Sequence, residues 1–232
     1  MTSQNLRLVS ITSIALLLGC NNAKEAKSSA AQGPVATTTA KASAPKIEPG
    51  VPAPSANLFE ISDAGWGAIN EHTNFEALQA AYGASNVVDD KICEGECTTY
   101  VEITRVYPDT NKALTIYWKE GQHHKAVSMV ECNAESAPYR TASGLGIGTT
   151  LEELLAKNGQ KISFYGFDWD LGGKVASFNK GTLAKSRLGI QLALAGQVKD
   201  KALTGDSELT TDLPAVSRNL KNIKVSTLTL SF

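Results

Sequence analysis

Chemistry in this 232-residue chain could come from four cysteines, three histidines and the aspartates of an aromatic run. Asp168 and Asp170 stand in Tyr165-Gly166-Phe167-Asp168-Trp169-Asp170. In an extended strand they share a face with Phe164 and Gly166, roughly 7 Å apart by strand rise. Paired carboxylates of this kind can serve glycoside hydrolysis. Ser163, Tyr165, Phe167 and Trp169 take the opposite face. The segment reads as core aromatics with two turn-capping aspartates. Its functional alternative is a concave candidate binding surface of Tyr165, Phe167, Asp168, Trp169 and Asp170, suited to a protein or glycan.

His72, His123 and His124 have no serine or cysteine at nucleophile spacing, and there is no G-x-S-x-G, H-E-x-x-H or phosphate-loop pattern. Gly144-x-Gly146-x-Gly148 precedes a helix without the strand or downstream acid of a nucleotide site, so it reads as a turn. Cys93-x-x-x-Cys97 is not a usual metal knuckle, and His123 and His124 belong to a distant turn. No metal, cofactor or catalytic residue is expected.

Residues 1–19 read as an export signal: Arg7, then an apolar run from Leu8 to Leu18 too short for a membrane span. The run ends Leu17-Leu18-Gly19-Cys20, which resembles the lipobox of bacterial lipoproteins. That resemblance implies cleavage before Cys20 and a membrane anchor of several acyl chains, each buried methylene contributing about 0.8 kcal/mol. It also implies the outer membrane over the inner, because Asn21 replaces the aspartate of the retention signal. Residues 20–56 are rich in Ala, Ser, Thr, Lys and Pro, and bury too little to fold. They make a disordered tether with a reach on the order of 30 Å.

Residues 57–232 suit one domain. The first 56 residues carry five cationic and two acidic side chains, so an overall charge of −1 leaves −4 on this part. A mildly acidic domain without a basic run argues against nucleic acid.

The elements that would position these residues begin with a capping box at Thr150-x-x-Glu153, which opens a short helix near Leu151. Leu151, Leu154 and Leu155 form its apolar face and Asn158-Gly159 closes it. Thr73–Gly83 aligns on Thr149–Gly159 without gaps, with five identities at an offset of 76. Thr73-x-x-Glu76 then reads as a second capping box. Strands are expected at Thr98–Tyr107, Lys112–Lys119 and Lys125–Cys132 as a meander. Further strands are expected at Ile162–Trp169, Lys174–Phe178, Arg187–Ala195 and Ile223–Phe232, the last closing the sheet. Gln197–Pro214 reads as a loop. The fold class is α+β: two tandem units, about 60–140 and 141–232, each a short helix followed by an antiparallel meander, with helices on one face.

In that meander Cys97 and Cys132 lie at opposite ends of strands that run the same way. Cys93–Cys97 is therefore the expected disulfide and Cys132 a buried thiol.

The tandem architecture resembles the β-lactamase inhibitory protein. The run G-I-G-T-T-L-E-E-L…N-G…F-x-G-F-D-W-D-x-G-G resembles a family of uncharacterised bacterial lipoproteins and secreted proteins. The chain departs from that pattern at Ile162-Ser163-Phe164 and at Leu171. That family implies no activity; the fold analogues and the lack of a recognised catalytic spacing lead to the expectation of an envelope-anchored, non-enzymatic binding or assembly module whose partner is an envelope protein or cell-wall component. The alternative is a small hydrolase using Asp168 and Asp170.

Overall fold

The computed structural model describes residues 57–196 and 200–232; the signal segment, Cys20 and the tether lie outside the described residues. The elements run in order β1 (Glu60–Ser62), β2 (Gly65–Trp66), α1 (Phe75–Tyr82), β3 (Val87–Glu94), β4 (Thr99–Val106), β5 (Leu114–Trp118) and β6 (Val127–Cys132). They continue with β7 (Arg140–Thr141), α2 (Leu151–Asn158), β8 (Ser163–Tyr165), β9 (Val175–Ser177), β10 (Leu188–Leu194), β11 (Glu208–Thr210), α3 (Pro214–Ser217) and β12 (Ile223–Ser231). The fold is α+β, mostly strand, with antiparallel sheets as the framework. Among the described residues no helix is long and apolar enough to cross a membrane.

The main sheet has six strands in the order β10-β12-β6-β5-β4-β3, every neighbour antiparallel. Alternation explains its core face. In β5, Leu114, Ile116 and Trp118 are buried while Thr115 and Tyr117 are half-buried, as a period of two requires. Leu188, Ile190 and Leu192 of β10 and Leu228 and Leu230 of β12 join them inside. A three-stranded sheet, β11-β8-β9, flanks this one, and β2-β1-β7 forms another whose β1–β7 pair is parallel.

Several expectations change. The meander has a fourth strand, β3, whose charged sequence V-V-D-D-K-I-C-E hides it; its register with β4 runs from Val87 opposite Val106 to Glu94 opposite Thr99. The expected loop Gln197–Pro214 contains β11, which pairs with β8, and α3 begins at its last residue. β12 does not close the sheet. It lies inside, between β10 and β6, because both of its edges find partners in register. Strands from both halves of the chain therefore share the main sheet, while β8 and β9 leave it for another.

Both expected helices form. In α2 the Thr150 hydroxyl accepts from the Glu153 N–H and the Glu153 carboxylate accepts from the Thr150 N–H, while Gly159 closes the helix in left-handed geometry. The bonds that the Glu153 carboxylate accepts from the Thr150 N–H and hydroxyl hold it below the usual carboxylate range. In α1 the cap is one residue later than expected. Asn74 accepts from the Ala77 N–H, and Thr73 instead accepts from the N–H of Asn70. Leu78 and Tyr82 of α1, and Leu151 and Leu154 of α2, are buried in the common core. The first helix lies against β3 and the second against β12.

Candidate functional site

Chemistry-bearing residues gather at two places. The first is the loop after β8. Extended geometry ends at Tyr165, because the Gly166 N–H turns to the Ser207 carbonyl and the Phe167 N–H to the Leu203 carbonyl. Phe167 swings into the core against Phe164, ring centroids 5.8 Å apart. Residues two apart therefore no longer share a face. Asp168 has a positive φ of 67°, and both Asp168 and Asp170 are exposed on a turn rather than aligned along a strand. Tyr165 and Trp169 do meet, edge to face at 5.7 Å, with the indole N–H bonded to the Gly166 carbonyl.

The loop is clamped to the sheet edge. The Leu192 N–H donates to the Gly173 carbonyl, and Gln191 Nε2 to the Gly172 carbonyl. Gly173 has φ 75°, and any side-chain carbon there would collide with the Leu192 carbonyl, so glycine is required at this crossing. On one side of the loop a depression of about 290 Å³ is lined by Asp170, Leu171, Lys174, Glu131 and Met129. On the other, about 370 Å³ is lined by Asp168, Trp169, Gln191 and Thr227 among others. Burial pushes the Glu131 carboxyl up, and Arg105 partly offsets this.

The second place is the inner face of the β3–β4 hairpin, where it meets the turn between β5 and β6. The Asp89 carboxylate lies 2.9 Å from His124 Nε2 and accepts from the Thr104 hydroxyl at 2.9 Å. Buried Thr104 in turn accepts from the Trp118 indole N–H. His123 stacks on His124, ring centroids 3.9 Å apart, and its Nδ1 is 3.5 Å from Glu102. Nε2 of His123 is buried and, among the described residues, has no hydrogen-bond partner. Phe75, the first residue of α1, stacks on the other side of His124, and its N–H donates to the His124 carbonyl. Trp118 meets both imidazoles edge-on. At the hairpin's far end Cys93 and Cys97 are disulfide-bonded with Cα atoms 4.5 Å apart.

The sequence pairs the histidines only with the cysteines, and the structure pairs them with Asp89 instead. The charged, mostly exposed run of β3 hides that partner in the sequence. The signal available was the two-residue alternation of Val87, Asp89, Lys91 and Cys93 opposite Val106, Thr104, Glu102 and Tyr100. Cys132 is free and buried, and burial raises its pKa.

Another depression, about 860 Å³, lies elsewhere, beside Gly144–Thr149 and Lys224. Two of its charged groups are internally engaged: Arg140 donates to the Ala137 and Tyr139 carbonyls, and Glu153 caps α2.

No protein-family profile matches this chain, and no curated protein matches it. Among solved structures it is similar to the uncharacterized protein yfeY from Escherichia coli, at 17% identity and a TM-score of 0.45, over 72% of this chain and 96% of that one.

Proposed function

We propose that this chain is a lipid-anchored protein of the bacterial envelope. Its Cys20 lipid holds it to the outer membrane, and residues 57–232 act as a non-enzymatic binding or assembly module for a protein or cell-wall partner. Leu17-Leu18-Gly19-Cys20 and the tether support the anchoring and export. The observation that most supports binding is the loop from Gly166 to Gly173. It sets half-buried Tyr165 and Trp169 and exposed Leu171 beside two open depressions on the sheet. Aromatic anchors next to concave, part-polar surface are the usual makings of an interface centre. Asp168 and Asp170 stand exposed on a turn, which supports the hydrolase reading less.

The two halves are read as tandem units of helix followed by strands, and the chain as kin to the uncharacterised lipoproteins that share its G-F-D-W-D run. The matched approaches to α1 and α2 support this reading.

A photo-reactive residue replacing Leu171 in the membrane-bound protein should crosslink a discrete envelope partner. The substitution Trp169→Ala should sharply reduce that product. If nothing crosslinks at Leu171, or the product survives Trp169→Ala undiminished, this surface is not where partners bind.

A further inference from the structure

The geometry points to a divalent transition-metal site built from Asp89, His123 and His124, which we propose as a zinc-class centre at the base of the disulfide-closed hairpin. One ligand atom of each residue lies within 4.8 Å of the others. The Asp89 to His124 Nε2 spacing of 2.9 Å already suits two ligands of one ion, since donors about 2.0–2.2 Å from a tetrahedral metal stand a little over 3 Å apart. A ring nitrogen of His123 is the third donor, within 4.8 Å of both.

The surroundings match what a metal site requires. A ligating carboxylate needs an outer partner, and Asp89 has the Thr104 hydroxyl, itself held by the Trp118 indole N–H. A ligating imidazole needs a carboxylate or carbonyl on its other nitrogen, and Glu102 faces Nδ1 of His123. That arrangement leaves Nε2 of His123 as the lone-pair nitrogen. It is also the buried, unpartnered nitrogen, a group that costs free energy unless something binds it. Phe75 and Trp118 pack the two rings from the sides and limit their rotation.

The local charge favours a cation. The pocket here, about 480 Å³, is lined by Asp89, Asp90 and Glu102 against Lys91, which is taken up by Glu102 at 3.3 Å. On the outer face of the hairpin, Arg105 is taken up by Asp90. Two imidazoles and one carboxylate select zinc, nickel or copper over calcium and magnesium, which prefer all-oxygen shells. Three protein ligands leave a fourth position open for water or for a group from a partner.

The test is titration of the full chain in detergent with zinc, and separately with cobalt as a spectroscopic probe. One equivalent of zinc should bind and raise the melting temperature, and cobalt should show the visible bands of a nitrogen–oxygen shell. Asp89→Asn, His123→Ala and His124→Ala should each weaken zinc binding at least about tenfold, since losing even an outer-shell partner costs that much. His72→Ala, on an exposed histidine outside the cluster, should leave binding unchanged. Circular dichroism of each variant reports folding, and Glu102→Gln, which touches no proposed ligand atom directly, should weaken binding less than Asp89→Asn. The proposal is overturned if the folded protein takes up no zinc, or if zinc binding persists in a folded His123→Ala/His124→Ala double variant. It is also overturned if calcium competes on equal terms.

Discussion

Thr73 and Thr149 hold the same station ahead of α1 and α2: each buried hydroxyl accepts from the backbone N–H three residues earlier, at 2.9 Å from Asn70 and 3.0 Å from Gly146. The next residue caps the helix in both cases, and a buried leucine follows at Leu78 and Leu154. Thr73→Val and Thr149→Val keep the shape but orphan an N–H. Each should cost about 1–3 kcal/mol, read from denaturant midpoints. A cost at Thr149 with none at Thr73 would break the equivalence of the two approaches.

Leu78→Ala and Leu154→Ala should each cost about 2–5 kcal/mol, the range for truncating a buried leucine. Both should shift a single cooperative transition, because both side chains lie in one continuous core. Ala81→Ser, exposed on α1, should stay within about 0.5 kcal/mol. If Leu78→Ala is equally mild, α1 is not docked as described.

Asn74, rather than Thr73, closes the start of α1. Asn74→Ala should therefore cost about 0.5–2 kcal/mol and Asn74→Gly only a few tenths. Equal losses for the two replacements would mean that the side-chain cap is not what matters there.

Glu131 is half-buried on the outer side of the sheet, and burial raises its pKa above the usual carboxylate value. At low pH the carboxyl is protonated in both folded and unfolded chains and costs nothing. As pH rises through the folded-state pKa, the native protein must ionise a desolvated group, so stability falls. Glu131→Gln should raise the melting temperature near pH 7 and make little difference near pH 4. The opposite pattern would show that Arg105 outweighs burial.

Cys93 and Cys97 should be recovered as one disulfide-linked peptide. Replacing both with serine should cost about 2 kcal/mol, the low end of the usual range, because the bridged loop is short. Cys132, buried and with a raised pKa, should resist thiol reagents until the protein unfolds. Rapid labelling of the native protein would contradict its burial. For the anchor, Cys20→Ser should release the protein from membranes after detergent phase separation; continued partitioning would remove the lipid proposal.

Local physics in the sequence alone determined α1, α2, β5 and β10. Capping residues act within a few positions of themselves, and the period-two alternation of Leu114–Trp118 or Leu188–Leu194 is complete inside one element. The Cys93–Cys97 pairing was likewise legible, since the expected meander puts Cys97 and Cys132 at opposite ends of the sheet and leaves Cys93 across a tight loop. Partnering across the chain was not legible. β12 became an interior strand, β11 found β8, and the charged β3 became an edge only because β4 offered it a register. The aromatic loop shows the same division: its residue types were evident, but Phe167 turned inward because Gly166 and Phe167 bonded to Ser207 and Leu203 some 40 residues away. The Asp89–His123–His124 cluster is wholly a tertiary product. Asp89 stands 35 residues before His124 in the chain, and only the pairing of β3 through β4 and β5 to the following turn brings it to the two histidines.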